Sequence, residues 1–281
     1  MLPNGLNKVI FRTPKRALLP VRHLSSTALL RQQSSSSTTG KNTGNKKDSK
    51  LTNFNPRHLG ISAEVYIPPS YQNLPSFFKH PIVFGNALIR RIYTFGLNTV
   101  QVALFRYQSG LKPNFLLWKN NAIESYVEVN KAFAARNLSS IRPLVSLWVD
   151  EALTARAKQL PKNFELDWQL LKFKSVPKLA SVQVMMVPGH PLEHIQLIYK
   201  FDTKQRLIKM NKTTLETETT DRDVVDYVAF LCDASSDELI MMGSVFESQP
   251  DAKLPKNFED DMKIAIQRMK TSGDIFRVNS K

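Results

Sequence analysis

The hydrophobic period of this chain changes once. Up to Pro161 apolar residues recur at helical spacing; beyond it they alternate with polar ones, as in strands. Helices first and a run of strands afterwards is the pattern of an α+β domain, with the helices segregated onto one face of an antiparallel sheet. A parallel doubly wound sheet needs alternating strands and helices, and that alternation is absent. The order of elements therefore constrains the fold more than any single motif does.

Three helices are expected in the first part. One spans about Asn86 to Tyr107, with a polar line at Arg90, Thr94, Asn98 and Gln101 and a possible kink at Gly96. Its other faces carry Leu88, Ile89, Ile92, Phe95, Leu97, Val100 and Phe105. The second starts after Pro113 with Asn114 as N-cap, and its stripe is Phe115, Trp118, Ala122, Tyr126, Val129 and Phe133. The third begins near Ser140, tolerates Pro143 in its first turn, and ends at Pro161. Each apolar stripe reads as core-facing. About six strands are then expected, among them one beginning at Leu166, Trp168 and Leu170, and others at Val182–Val187, Val224–Leu231 and Leu239–Phe246. Ile195, Leu197, Tyr199 and Phe201 alternate along a strand that should turn as a hairpin at Asp202–Gln205. A short helix over Asn257–Lys270 closes the chain.

The charge is uneven. The formal net charge is +15, and the first fifty residues hold ten basic side chains against one acid, Asp48. That leader intersperses Arg, Lys and Ser with apolar residues and has no long apolar core. It is read as a mitochondrial transit peptide over residues 1–31, with Arg22, Leu24 and Thr27 in the two-step processing pattern. Residues 32–52 are read as a disordered basic linker, because they offer almost no apolar surface to offset ordering entropy. Residues 53–83 form a Pro-rich arm too apolar to be a free linker; 84–274 form one α+β domain and 275–281 a tail. The longest uncharged run flanking a helix, Ile92 to Phe105, is too short to span a bilayer.

A search for chemistry returns little. The single cysteine, Cys232, excludes a disulfide framework and reads as a small buried hydrophobe. There is no glycine-rich phosphate loop. His190 and His194 have ligand spacing only on a helix, and Pro188, Gly189 and Pro191 argue against that helix. Asp221, Asp223 and Asp226 open a strand as an exposed acidic edge; acid–base work would need burial to split their ionisation. No catalytic, cofactor or metal residues are assigned. The basic front is more informative: Arg90, Arg91 and Arg106, with Lys112 and Lys119 beyond, edge apolar helices. That arrangement suits an anionic membrane or RNA phosphates, and equally the solvated rim of core-packed helices.

Several long blocks carry a resemblance. Residues 53–60 (NFNPRHLG), 86–106 (NALIRRIYTFGLNTVQVALFR), 166–170 (LDWQL), 191–208 (PLEHIQLIYKFDTKQRLI) and 221–233 (DRDVVDYVAFLCD) resemble the fungal mitochondrial inner-membrane ribosome receptor family. That family is similar in turn to a mitoribosomal large-subunit protein and to the membrane-binding domain of the import motor's inner-membrane anchor. The resemblance implies a cone-shaped nuclear-transport-factor-two-like (cystatin-like) domain with helices on a curved antiparallel sheet. It implies a peripheral, non-enzymatic protein on the matrix side of the inner membrane, without a cofactor. Its partners would be the large subunit of the mitochondrial ribosome near the tunnel exit, anionic lipid, the insertase and nascent membrane proteins. The alternative is a permanent structural subunit of the large ribosomal subunit.

Overall fold

The structure is a computed structural model that describes residues 54–187, 190–255 and 262–279. Arg22, Leu24 and Thr27, read above as a processing pattern, and the stretch read as a linker lie outside the described residues. In chain order the elements are α1 (Pro81–Ser109), α2 (Phe115–Ala134), α3 (Leu147–Gln159), β1 (Phe164–Met185), β2 (His194–Asn211), β3 (Thr217–Asp233), β4 (Leu239–Val245) and α4 (Met262–Gly273). The strands form one open antiparallel sheet in the order β1-β2-β3-β4. The α+β class expected from the change of period is the one observed.

The sheet is covered on both faces. On one, α2 and α3 bury Trp118, Tyr126, Val129, Val149 and Leu153 against Leu197, Phe201 and Phe230. On the other, the Pro-rich arm buries Ile61 and Ile67 against Ile198, Tyr227, Leu231 and Met242. This explains why β2 opens with six consecutive buried residues, His194 to Tyr199, instead of strict alternation. Cys232 is a free, buried thiol.

Four boundaries differ from the sequence reading. Asp202–Gln205 is not a hairpin but the middle of β2, which runs unbroken for 18 residues. The stretch contains no Gly, Pro or Asn to force a turn, and its polar side chains have partners: Arg206 pairs with Asp221 at 2.7 Å and Lys204 with the same carboxylate at 3.7 Å, while Thr203 is fully buried on the other face. The expected strands at Leu166 and Val182 are one strand, β1, whose register shifts at several points absorb Pro177 as a bulge. Pro143 lies in a separate single-turn 3₁₀ helix, and α3 starts later, with Ser146 as its N-cap. Val145 is drawn out of helix by a parallel bridge to Met241. Finally, α1 begins at Pro81, whose ring suits a first helical turn, and passes Gly96 without a break. Gly110 ends it in the left-handed region (φ 71°), with its N–H donated to the Arg106 carbonyl.

Gly243 sets how closely α4 approaches the sheet. Its φ is 142°, and a Cβ there would meet the Ser272 carbonyl oxygen at 2.2 Å. Only a residue without a side chain lets β4 and the end of α4 meet.

Candidate membrane-contact surface

Helix α1 is built inside out. Its polar line, expected to face water, faces the protein: Thr94 on that line is buried, as are Ala87 and Phe105 at either end of the same side. Its apolar faces, expected to pack in the core, are exposed: Ile82 at 76 %, Ile89 at 66 %, Ile92 at 65 % and Phe95 at 74 %. The core-facing reading of its stripe is therefore wrong, and the reason is hydrogen bonding. The helix lies along the free edge of β1. Asn98 donates Nδ2–H to the Ala180 carbonyl (3.2 Å) and accepts the Val182 N–H (3.1 Å) at Oδ1; Gln101 Oε1 accepts the Val184 N–H (3.2 Å). Two side-chain amides thus stand in for a neighbouring strand. Unpaired edge groups cost more than the apolar side chains would gain on that side.

Asn98→Ala removes both bonds to the edge. We expect a loss of about 1–3 kcal/mol in urea denaturation, with faster amide exchange at Val182. Unchanged exchange there would show that water replaces the amide without cost.

The arginines at the front of α1 are fixtures of this arrangement. Arg90 donates to the Pro250 carbonyl at 2.9 Å. Arg91 donates to the Pro69 carbonyl, and its guanidinium lies 4.0 Å from the centre of the Tyr71 ring. Both tie chain segments to the helix, and sequence reasoning could not see these partners because they are backbone oxygens. Arg106 and Lys112 flank the turn after α1 and are exposed, and Lys119 is half-buried in α2; none of the three forms an ion pair with a described residue. Of the five cations singled out, the structure leaves these three available for an outside partner.

The arm beneath α1 is clamped by one carboxylate. Glu247 accepts hydrogen bonds from Ser70 Oγ, from Tyr227 Oη (2.6 Å) and from Asn73 Nδ2 (2.6 Å), and Lys200 lies 3.8 Å away. Burial pushes the Glu247 carboxyl up, but the bonds from Ser70, Tyr227 and Asn73 outweigh it and bring it down to about 2.

The remaining sequence candidates are dispersed. Asp221 and Asp223 are outward and paired, Asp223 with Lys174 at 2.7 Å. Asp226 departs from the exposed edge expected of it: it turns inward and accepts the Tyr126 hydroxyl at 2.6 Å. His194 opens β2 and is buried, with the Phe54 ring between it and His190 at 5.4 and 5.0 Å. Among the described residues no group of three or more His, Cys, Asp or Glu is placed to hold a metal ion.

Helix α1 has 29 residues, three Arg and no acid. At 1.5 Å per residue it is about 43 Å long, enough in length alone to cross a bilayer core. Its hydropathy is not enough, and among the described residues no helix is both long and apolar enough to cross a membrane. One side of it is also engaged with the edge of β1. What it offers is one apolar face along a fixed helix, continued at its start by the exposed rings of Phe77 and Phe78. Such a face fits burial to the depth of the headgroup–acyl boundary.

Two comparisons bear on what carries such a face. The chain is 62 % identical over 271 residues to the inner membrane mitoribosome receptor MBA1, mitochondrial, of Saccharomyces cerevisiae, covering 96 % of each chain. The model of the MBA1-like protein family matches residues 45–281, which takes in the whole described fold. On this match, and on a relative so alike along nearly its full length, the chain belongs to the MBA1-like protein family.

Proposed function

We propose that the protein is a peripheral receptor for the mitochondrial ribosome on the matrix side of the inner membrane. The observation that carries the membrane half of this reading is the exposed apolar face of an acid-free helix held rigidly on the sheet edge. The ribosome half rests on the family and on the yeast relative's name. In this reading α1 lies in the plane of the membrane. Arg106, Lys112 and Lys119, at and beyond its C-terminal end, meet anionic headgroups at roughly 1 kcal/mol per cation near the surface. The residues 1–52 serve as address and linker, and the domain from residue 54 onward does the binding. So held, the ribosome's exit site stands near the insertase, and nascent hydrophobic chains enter the bilayer as they are made. The work is positioning, and no covalent step is assigned.

The test is flotation with cardiolipin-containing liposomes and sedimentation with mitoribosomes across a salt series. Ribosome binding is expected to fall steeply with salt, with a log–log slope of about −0.7 to −0.9 per phosphate contact. Flotation, driven by apolar burial, should persist. Changing Arg106, Lys112 and Lys119 together to Glu should weaken flotation at low salt and leave ribosome sedimentation intact. Lost sedimentation with retained flotation would reassign those cations to ribosomal RNA. Failure of both assays at low salt would remove the reading.

A further inference from the structure

Between the second half of α2, the helix-facing side of β1–β3 and residues 275–277 lies a cavity of about 390 Å³. That is within the range of small-molecule sites. Its apolar wall includes Phe133, Leu166, Trp168, Leu207 and Phe276. A chain of hydrogen bonds runs along one side: Trp168 Nε1 donates to Gln205 Oε1 (2.9 Å), Gln205 Nε2 donates to Tyr126 Oη (2.7 Å), and Tyr126 donates to Asp226 (2.6 Å). This relay holds the Trp168 indole and the Tyr126 ring in place. Preorganised rings of this kind reduce the ordering cost of binding.

The charge of the lining is lopsided. Asp226 is its one acidic residue. Burial pushes the Asp226 carboxyl up, against the opposing effect of the Tyr126 bond. Two guanidiniums line the same cavity. Arg222, the cross-strand partner of Gln205, is exposed at the rim and forms no ion pair with a described residue. Arg277 donates to the Ser244 carbonyl at 2.6 Å, while its Nε and the Ser244 hydroxyl are buried without a partner. The Arg277 Nε and the Ser244 hydroxyl are buried groups that ask for an acceptor, and the Arg222 guanidinium at the rim has no carboxylate of the described chain against it, so the edge of the cavity is short of acceptors.

We propose that this cavity binds a small amphiphilic anion, an apolar chain or ring ending in a carboxylate or a phosphate, with the anionic group on Arg222 and the apolar part against Trp168, Leu207 and Phe276. The site is distinct from the outer face of α1 and does not depend on it.

Dodecanoate titrated into the full chain should give a saturable change in tryptophan fluorescence. The change should disappear in Trp168→Phe and in Leu207→Trp, which fills the mouth. Arg222→Ala, at an exposed position that leaves the core intact, should weaken binding about tenfold, the worth of one charge-assisted contact. Methyl dodecanoate should bind about as weakly to the unaltered protein. The variant with Ile89, Ile92 and Phe95 all changed to Glu should bind dodecanoate normally, which separates the cavity from the outer face of α1. Competition with phosphatidylglycerol vesicles identifies the source. Displacement assigns the occupant to bilayer lipid and persistence assigns it to a free acid, and either supports the site. No saturable change, a change that survives both Leu207→Trp and Arg222→Ala, or one lost in the α1 variant would overturn the proposal.

Discussion

Replacing Ile89, Ile92 and Phe95 together by Glu is expected to abolish flotation with liposomes while leaving the fold intact. All three side chains are mostly exposed and touch none of the packed core, so the protein loses little on their removal. A membrane loses much more. Full burial of one such side chain is worth about 1.5–3 kcal/mol, and burial at the headgroup boundary is partial. Three of them together amount to about 4 kcal/mol, or roughly a thousandfold in partition. The added carboxylates also repel anionic lipid. The melting temperature of the variant should stay within a few degrees of the parent's, because exposed substitutions are usually worth under about 0.5 kcal/mol each. A large fall in melting temperature would mean that these residues pack against something within the chain, and the outward face would lose its meaning.

Glu247→Ala is expected to free the Pro-rich arm at a cost of about 3 kcal/mol. The substitution removes the acceptor for Ser70, Asn73 and Tyr227 and leaves the Lys200 ammonium without its carboxylate. Amide exchange should accelerate over residues 61–74 first, because Ile67 and Ser248 are joined by hydrogen bonds next to this clamp. The same carboxylate gives a pH dependence of definite sign. Its folded-state value lies near 2, below the ordinary 4.5. Its contribution is therefore complete above pH 4.5 and is lost as the pH falls from there towards 2. The parent protein should lose stability over that window, and Glu247→Ala should lose less of it. Parallel acid profiles for the two proteins would place the acid sensitivity elsewhere.

The sequence disclosed the layers of the fold better than their orientation. The change of period after Pro161 led to helices on an antiparallel sheet, and long strands followed from alternation once the polar stretch at Asp202–Gln205 was seen to pair across β2 and β3. Helix α1 was legible as a helix and illegible as a surface. Periodicity says that one face differs from the other; it does not say which of the two meets water. Asn98 and Gln101 decide that here, by completing the edge of β1, and nothing local in the sequence marks them as strand substitutes. Arg90 and Arg91 misled for a related reason. Clustered cations beside an apolar run signal an anionic partner, whereas these two are used on carbonyl oxygens of the arm and of the segment after β4. Asp226 was hidden by its neighbours: with Asp221 and Asp223 it reads as an acidic edge, although its odd offsets from both already put it on the opposite face of a continuous strand, and there it meets Tyr126.

The central claim is that one rigid body joins the membrane and the ribosome through separate surfaces. Its most direct measurement is the recruitment of mitoribosomes to cardiolipin-containing liposomes, read by flotation of ribosomal RNA. With the unaltered protein, ribosomes should rise with the liposomes at low salt. With Ile89, Ile92 and Phe95 changed to Glu, they should stay at the bottom of the gradient, still bound to the protein. Ribosomes that float equally well with both proteins would contradict the account.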